Sequence, residues 1–435
     1  MKRFLYPALI FAYALALRIH GIEEHFQLFS DQIRDWKIVG QGFLDLPLHG
    51  TPRNSGGFSH GPIFYWILWL SRQIIGPLTN QLPHAGGIGV AIFYALSAAA
   101  LYRAFLQFSS LVFSTVAILF LISSPWEASF SGNTAWNPGV ATALVNFAFA
   151  AFLGAKTWRG RLLALVFAWL AFQAHFPAIF VFLGLFAGSI LIEFRDAGAK
   201  KSRQLVFLTL VGILMLEIPY FIWVGQEASA GSPVEDSLRQ VLQDPATALH
   251  PIGAFRFLKD GAILLLFEDG GVFKRYAVIP VLLVALGVWR FRSNIRWMAV
   301  GFLPVLFALA GYSISQIPLD AYHLVTLMAS FVLLFVLGVR GIFKGSRIPL
   351  WILLVYILAQ QSGRFERAPT DRMESYGSLV RGAKAIIQSG KKFSHVEFDE
   401  SRTDPLFVLE CLGAHATPGA AVVSIKSGGE VEWRE

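Results

Sequence analysis

Long apolar runs recur along most of this chain, and they decide its class before any motif is read. They cover approximately 4–18, 62–78, 85–106, 109–124, 138–155, 162–175, 176–194, 204–224, 276–290, 297–314, 324–339 and 348–362. A helix needs ~20 apolar residues to cross the ~30 Å hydrocarbon core of a bilayer. Several runs have only ~15, which rise ~22 Å as helix. Those must be broken, tilted against protein, or border a water-filled cavity. Of 435 residues, 55% are hydrophobic and only 15% charged, with a mean hydropathy of +0.56. A soluble protein of this length carries about a quarter charged residues. The expected fold class is an all-α polytopic membrane protein.

The formal charge of +8 does not indicate nucleic acid, because the basic residues gather in short links between apolar runs. Lys2/Arg3, Lys156/Arg159/Arg161, Arg195/Lys200/Lys201/Arg203, Arg290/Arg292/Arg296 and Arg340/Lys344/Arg347 are the links that the positive-inside rule assigns to the cytoplasm. The segments 19–61, 225–275, 315–323 and everything after 363 then face the other side. Between residue 61 and Lys156 this requires an odd number of crossings, yet four apolar runs lie there. Either one of 62–78, 85–106 and 109–124 does not cross, or a crossing is hidden near 125–137, for a total of 11 or 13 transmembrane helices. Met1-Lys2-Arg3 before Phe4 to Leu17 has the charge pattern of a signal peptide, but no small-residue cleavage site follows. It reads as a retained first helix. The single cysteine, Cys411, forms no disulfide framework and no metal motif.

The chain changes character after residue 362. The tail, 366–435, reads as a strand (His395 to Phe398), a helix (Pro405 to Leu412) and a strand pair (Ala420 to Ile425, Glu430 to Trp433) about the turn Ser427-Gly428-Gly429. Periodicity and turn residues thus predict a small C-terminal α/β domain outside the membrane, beside a transmembrane domain at 1–362. It has no glycine-rich nucleotide loop, and no solenoid repeat occurs in the chain.

Carboxylates are scarce, so their placement is informative. The first loop, 19–61, contains Asp31-Gln32-Ile33-Arg34-Asp35-Trp36. Ile33, Trp36, Ile38 and Val39 suit an amphipathic interfacial helix, on which Asp31 and Asp35 are neighbours at i and i+4. Farther on, a glycine-rich loop with Arg53 and His60 runs into a helix beginning at Pro62, where proline costs nothing because its missing N–H falls in the first turn.

These residues resemble the polyprenyl-phosphate-dependent glycosyltransferases of the GT-C fold, the superfamily of protein O-mannosyltransferases and lipid A aminoarabinose transferases. Bacterial members carry an Asp-Glu-x-Arg-Asp motif on the first outer loop, here Asp31-Gln32-Ile33-Arg34-Asp35. Their "Gly-Pro…Gly-Gly-x-x-x-Gly-Pro-x-Tyr-Tyr" start of the second helix is matched by His49-Gly50-Thr51-Pro52 through Gly61-Pro62-Ile63-Phe64-Tyr65. The stretches 123–139, with Trp136 and Asn137, 172–182, with His175, 217–223, and 318–327, with Tyr322 and His323, are similar to later family segments. The resemblance spans about residues 1–340 and offers no counterpart for the tail.

The resemblance implies a glycosyltransferase moving a sugar from a polyprenyl-phosphate (undecaprenyl-phosphate) donor to a hydroxyl or phosphate of a lipid, glycan or protein acceptor. It implies the outer face of a bacterial inner membrane, with lipid contacts and no nucleic acid, and an inverting transfer. Asp31 is then the base, with Asp35 beside it. Arg53, His60 and His323 are candidates to hold the leaving phosphate, and Arg256 and Lys259 are weaker ones. Tyr322, Trp136, Asn137 and His175 are candidate site-lining residues, and Glu217 is an acid inside an apolar run. A divalent cation (Mg or Mn) would take Asp31 and Asp35 as ligands. Gln32 stands where the family has Glu, and an amide neither accepts a proton nor carries charge to a metal. The alternative function is a transporter or flippase of a lipid-linked or small polar substrate. The absence of a repeat and the loop position of the acids favour the enzyme.

Overall fold

The computed structural model describes residues 2–51, 61–229, 278–314, 321–342, 348–355, 357, 374–398, 405–426 and 428–434. Helix dominates. In chain order the elements are α1 (Lys2–Ile19), α2 (Ile22–His25), α3 (Ser30–Ile38), α4 (Ile63–Ile75), α5 (His84–Phe108), α6 (Leu111–Ile122), α7 (Pro125–Ser131), α8 (Asn137–Gly154), α9 (Trp158–Ala174), α10 (Ile179–Leu216), α11 (Ile218–Ser229), α12 (Val278–Phe291), α13 (Leu303–Ile314) and α14 (Met328–Ile342). A π-helical turn, Met298–Phe302, leads into α13, and residues 348–355 are also helical. Among the described residues, five helical stretches are long and apolar enough to cross a membrane: His84–Phe108, Asn137–Gly154, Phe176–Leu216, Ile295–Tyr312 and Tyr322–Ile342.

Local sequence sets the helix ends. Ser110 caps α6 by accepting the Phe113 N–H at 3.3 Å, as a short hydroxyl does at an N-cap. Prolines occupy the first turns of α7 and α8. Gly198, with φ 79°, breaks α10 inside the basic link, so the runs 176–194 and 204–224 are its two legs. The second run is interrupted again at Glu217, before α11. With only seven residues, α7 rises about 10 Å. It is too short to be the crossing hidden near 125–137. If the basic links share one side, parity requires that α4 or α6, with 13 and 12 residues, does not cross.

The core lies around α5 and α8, which pack on each other and on α1 and α9. Both are apolar on nearly every face, as helices of a core or a membrane span are. On the far side, Gly287 and Gly338 let α12 and α14 approach so closely that a Cβ at either would collide with the partner's carbonyl oxygen. Small residues at such crossings substitute close van der Waals packing for a hydrophobic drive that lipid does not supply. One buried ion pair joins α9 to α10: Arg161 donates through Nε to Glu193 Oε1 at 2.9 Å and contacts the same oxygen through its second amino group.

The tail folds as expected in type and, within a residue or two, in place. Strands β1 (Phe393–Phe398), β2 (Ala421–Ile425) and β3 (Val431–Arg434) form one sheet in that order. β1 runs parallel to β2, and β3 antiparallel. The helix α16 (Pro405–Cys411) lies beside it, and a further helix, α15 (Glu374–Ser389), was not expected. α15 buries Tyr376, Leu379, Val380, Ala383 and Ile386 at helical spacing. Gly377 and Gly382, poor helix formers, hide that pattern in the sequence.

Candidate active site

The acidic loop does form a helix, α3, but its orientation differs from the expectation. The buried residues are Gln32, Asp35, Trp36 and Val39, a stripe at i, i+3, i+4 and i+7, whereas Ile33 and Ile38 are only half-buried. Trp36 decides the rotation. Its indole N–H donates to the Gln81 carbonyl at 2.9 Å. Arg72 of α4 donates to the Trp36 carbonyl at 2.5 Å and lies over its ring. Anchoring the indole in protein turns the adjacent Asp35 inward, so the face of α3 that packs on protein carries an acid and an amide as well as Trp36 and Val39.

Arg34 ties the two acids together. It donates through Nη1 to Asp31 Oδ1 at 3.0 Å and through Nε to Asp35 Oδ1 at 2.9 Å. The Tyr65 hydroxyl, from the first turn of α4, donates to the same Asp35 oxygen at 3.0 Å. The environments of the two carboxylates are unequal: the Asp35 side chain is 0% exposed and that of Asp31 50%. Burial pushes the Asp35 carboxyl up to about 6, against the opposing pull of Arg34 and the Tyr65 hydrogen bond. Among the described residues, Asp35 Oδ2 and both polar atoms of the Gln32 amide have no hydrogen-bond partner.

A second group gathers where α8, α9 and the turn before α14 meet. Trp136 stacks obliquely on Tyr322 with centroids 5.8 Å apart, and Tyr322 lies 3.8 Å from the His323 ring. His175 Nε2 is 2.9 Å from the Tyr322 carbonyl, and Asn137 donates to the Ala174 carbonyl at 2.8 Å. The Tyr312 hydroxyl donates to the His323 carbonyl at 3.3 Å. The structure therefore brings together all five of these candidates, although Asn137 and His175 are buried in holding the wall. Two contacts link α3 and the residues just before it to the segment leading into Trp136. The Gln27 N–H donates to the Asn133 carbonyl at 2.7 Å. Gly86 of α5 leaves room for both Trp36 and Ala135, whose atoms would lie 3.1 and 2.9 Å from a Cβ there.

Arg53, His60, Arg256 and Lys259 lie outside the described residues. Glu217 reaches neither wall through its hydrogen bonds: it accepts from Trp169 Nε1 at 2.7 Å and Gln173 Nε2 at 3.0 Å. Gln173 in turn packs on Gly61, just ahead of α4. Sequence reasoning gave no role to Tyr65 or to Arg34, although an arginine between two acids at helical spacing is a readable signal. It also passed over Glu127 of α7, a buried carboxylate pushed up to about 8 by loss of solvent, with Arg18 and Tyr94 beside it.

The donor set suits a divalent cation poorly. Among the described residues no three His, Cys, Asp or Glu side chains converge, and Arg34 already bridges the two carboxylates from which a cation would be built. Among the described residues the donors do not fit a divalent cation, and the chemistry falls to side chains.

No family profile matches the sequence, and no curated protein matches it. Solved structures do. ArnT from Cupriavidus metallidurans in the apo state aligns over 94% of this chain and 85% of its own, with a TM-score of 0.60 at 14% identity. The same protein bound to undecaprenyl phosphate aligns over 93% and 84%, at 0.57 and 15%. The archaeal oligosaccharyltransferase AglB from Archaeoglobus fulgidus, in complex with an inhibitory peptide and a dolichol-phosphate, aligns over 96% of this chain and 64% of its own, at 0.51 and 11%. With 94% of the chain covered, the likeness runs past residue 340 into the tail, for which the sequence offered no counterpart. The chain has the GT-C fold that ArnT and AglB share.

Proposed function

We propose that this protein is a membrane glycosyltransferase that moves a sugar from a polyprenyl-phosphate donor to an acceptor hydroxyl or phosphate. The reaction is placed at the outer face of a bacterial inner membrane, with domains at 1–362 and 366–435 and the second on the same side as the site. The observation that carries the reading is the unequal carboxylate pair of α3 on a GT-C frame. Asp31 is open to a substrate, and Asp35 is shut away behind Arg34 and Tyr65.

In an inverting transfer the acceptor oxygen attacks the anomeric carbon opposite the phosphate. The new C–O bond forms as the bond to the phosphate breaks, and its electron pair leaves on the polyprenyl phosphate. Asp31 takes the acceptor proton, because a general base must reach the proton it removes. Asp35 cannot reach it without moving. Its role is to hold Arg34, which in turn fixes Asp31 and lends positive charge to the site. The leaving phosphate needs donors aimed at its developing charge, a role given to Arg53, His60 and His323. Trp136, Tyr322, Asn137 and His175 line the opposite wall.

The lipid tail of such a donor has a matching surface. An apolar cavity of about 280 Å³ opens between α12, α13 and α14, lined among others by Val281, Val288, Val305, Leu309, Phe331 and Leu334. Tyr312, one turn beyond Leu309, hydrogen-bonds the backbone at His323, so the cavity's α13 wall continues into the site. ArnT has been solved with undecaprenyl phosphate and AglB with a dolichol-phosphate, which supports a polyprenyl-phosphate ligand here.

The test is a purified, detergent-solubilised protein given labelled polyprenyl-phosphate sugars without any gradient. Donor consumption with release of polyprenyl phosphate is expected. No consumption across a panel of sugars, together with gradient-driven uptake in vesicles, would instead establish the transporter.

A further inference from the structure

The C-terminal domain touches the acidic segment at both of its ends. At the start, Arg381 of α15 donates to both carboxylate oxygens of Glu24 at 2.6 Å, and Lys384 pairs with Glu23 at 3.0 Å. In the middle, the buried Tyr376 ring meets Phe26 edge-on at 5.2 Å, and its hydroxyl lies 3.1 Å from Nδ1 of the buried His84 at the start of α5. Phe26 and Ile22 fill the space over Gly87 of α5, so Phe26 is held between α5 and α15. At the far end, Lys37 of α3 places its ammonium 5.2 Å from the Phe407 ring of α16.

The approach of α15 to α2 depends on one glycine. A Cβ at Gly377 would collide with the Glu24 carboxylate and lie 3.1 Å from the Glu24 Cα. That position is the fourth residue of α15, where alanine would form helix better than glycine. Its glycine serves the contact and not the helix.

Exposed ion pairs such as Arg381–Glu24, each side chain nearly half exposed, hold little by themselves. The buried Tyr376–Phe26–His84 contact, backed by Gly377, is the firmer part. We propose that the C-terminal domain is a positioning device for the site: α15 and α16 clamp the segment α2–α3 from both ends and so fix Asp31 and Asp35 against α4. Arg381, Tyr376 and Gly377 are positioning residues that touch no substrate.

The proposal rests on the transferase reading for its activity arm only. In the full-length protein, Arg381→Glu sets a third negative charge beside Glu23 and Glu24. Backbone amide exchange over residues 30–38 should rise about tenfold, as expected when a local opening becomes easier. Turnover should fall about fivefold with KM for the donor within about twofold, because misplacing a catalytic group slows chemistry without removing the tail's binding surface. The charge-swapped pair Glu24→Arg with Arg381→Glu should restore both readouts. Gly377→Ala separates docking from folding: the domain keeps its own protection, yet exchange over 30–38 rises. Unchanged exchange over 30–38 in both single variants overturns the proposal, and so does raised exchange with wild-type turnover. A wild-type protein that transfers no sugar overturns the transferase reading instead, while the exchange arm still decides whether the domain holds α3.

Discussion

Two arginine–carboxylate clusters in this molecule use the same chemistry to opposite ends. Arg161 and Glu193 face each other between α9 and α10 with side chains 6% and 4% exposed, closed to anything but each other. Arg34 has two acidic partners, and one of them, Asp31, is half exposed, while Arg34 itself is 37% exposed. The closed pair joins two helices. The open one sets a half-exposed carboxylate beside a buried one. Exposure, rather than residue type, separates the two clusters, and only the second leaves a carboxylate that a substrate could reach.

The largest expected effect breaks the closed pair. Arg161→Met leaves Glu193 buried without its cation, which should cost about 3–5 kcal/mol of stability. Thermal unfolding in detergent should show that loss, while the protein that remains folded keeps wild-type turnover. A comparable loss of turnover per folded molecule would mean that the two clusters are not separate in function.

Asp31→Asn attacks the open cluster at its exposed member. It keeps the shape and removes the basic oxygen, so turnover should fall by ~10² or more, about 2.7 kcal/mol in the barrier, with the unfolding temperature unchanged. Activity above a tenth of wild type would remove Asp31 as the base.

Asp35→Asn should move stability and activity in opposite directions. Its carboxyl is raised from 3.8 to about 6, chiefly by burial. Between those values the folded protein keeps a proton that the unfolded chain has released. Stability from this group is therefore present below pH 3.8 and lost as pH climbs through 6. The amide avoids that cost. Above pH 6 the variant should be more stable by about 1–3 kcal/mol, at 1.36 kcal/mol per pKa unit, with no gain at pH 4. Turnover should drop about tenfold, because Arg34 loses the charge that orients it. A variant less stable at pH 8 than wild type would show that the Arg34 pairing outweighs burial.

The smallest effect concerns metal. With Arg34 between the carboxylates and an amide at Gln32, EDTA should change turnover by less than about twofold. Strong inhibition reversed by Mn²⁺ or Mg²⁺ would mean that Asp31 and Asp35 suffice as ligands once Arg34 swings away.

The sequence by itself determined the class, because burying an apolar run of this length leaves few alternatives to a membrane-embedded helix. It also located the strands of the tail, where alternation and turn glycines are local signals, and its resemblance to the GT-C enzymes nominated Asp31, Asp35, Trp136, Tyr322 and His323 as candidates. Direction was left to packing. The apolar pattern of α3 fits either Ile33 and Ile38 or Gln32 and Asp35 turned inward, and the choice fell to Trp36, whose partners Arg72 and Gln81 lie 36 and 45 residues away. The same is true of the inequality between Asp31 and Asp35, since burial is a property of what packs around a residue. The clamp of α15 on α2 was beyond reach for that reason as well: Glu24 and Arg381 are 357 residues apart, and nothing local marks Gly377 as the place where two backbones meet.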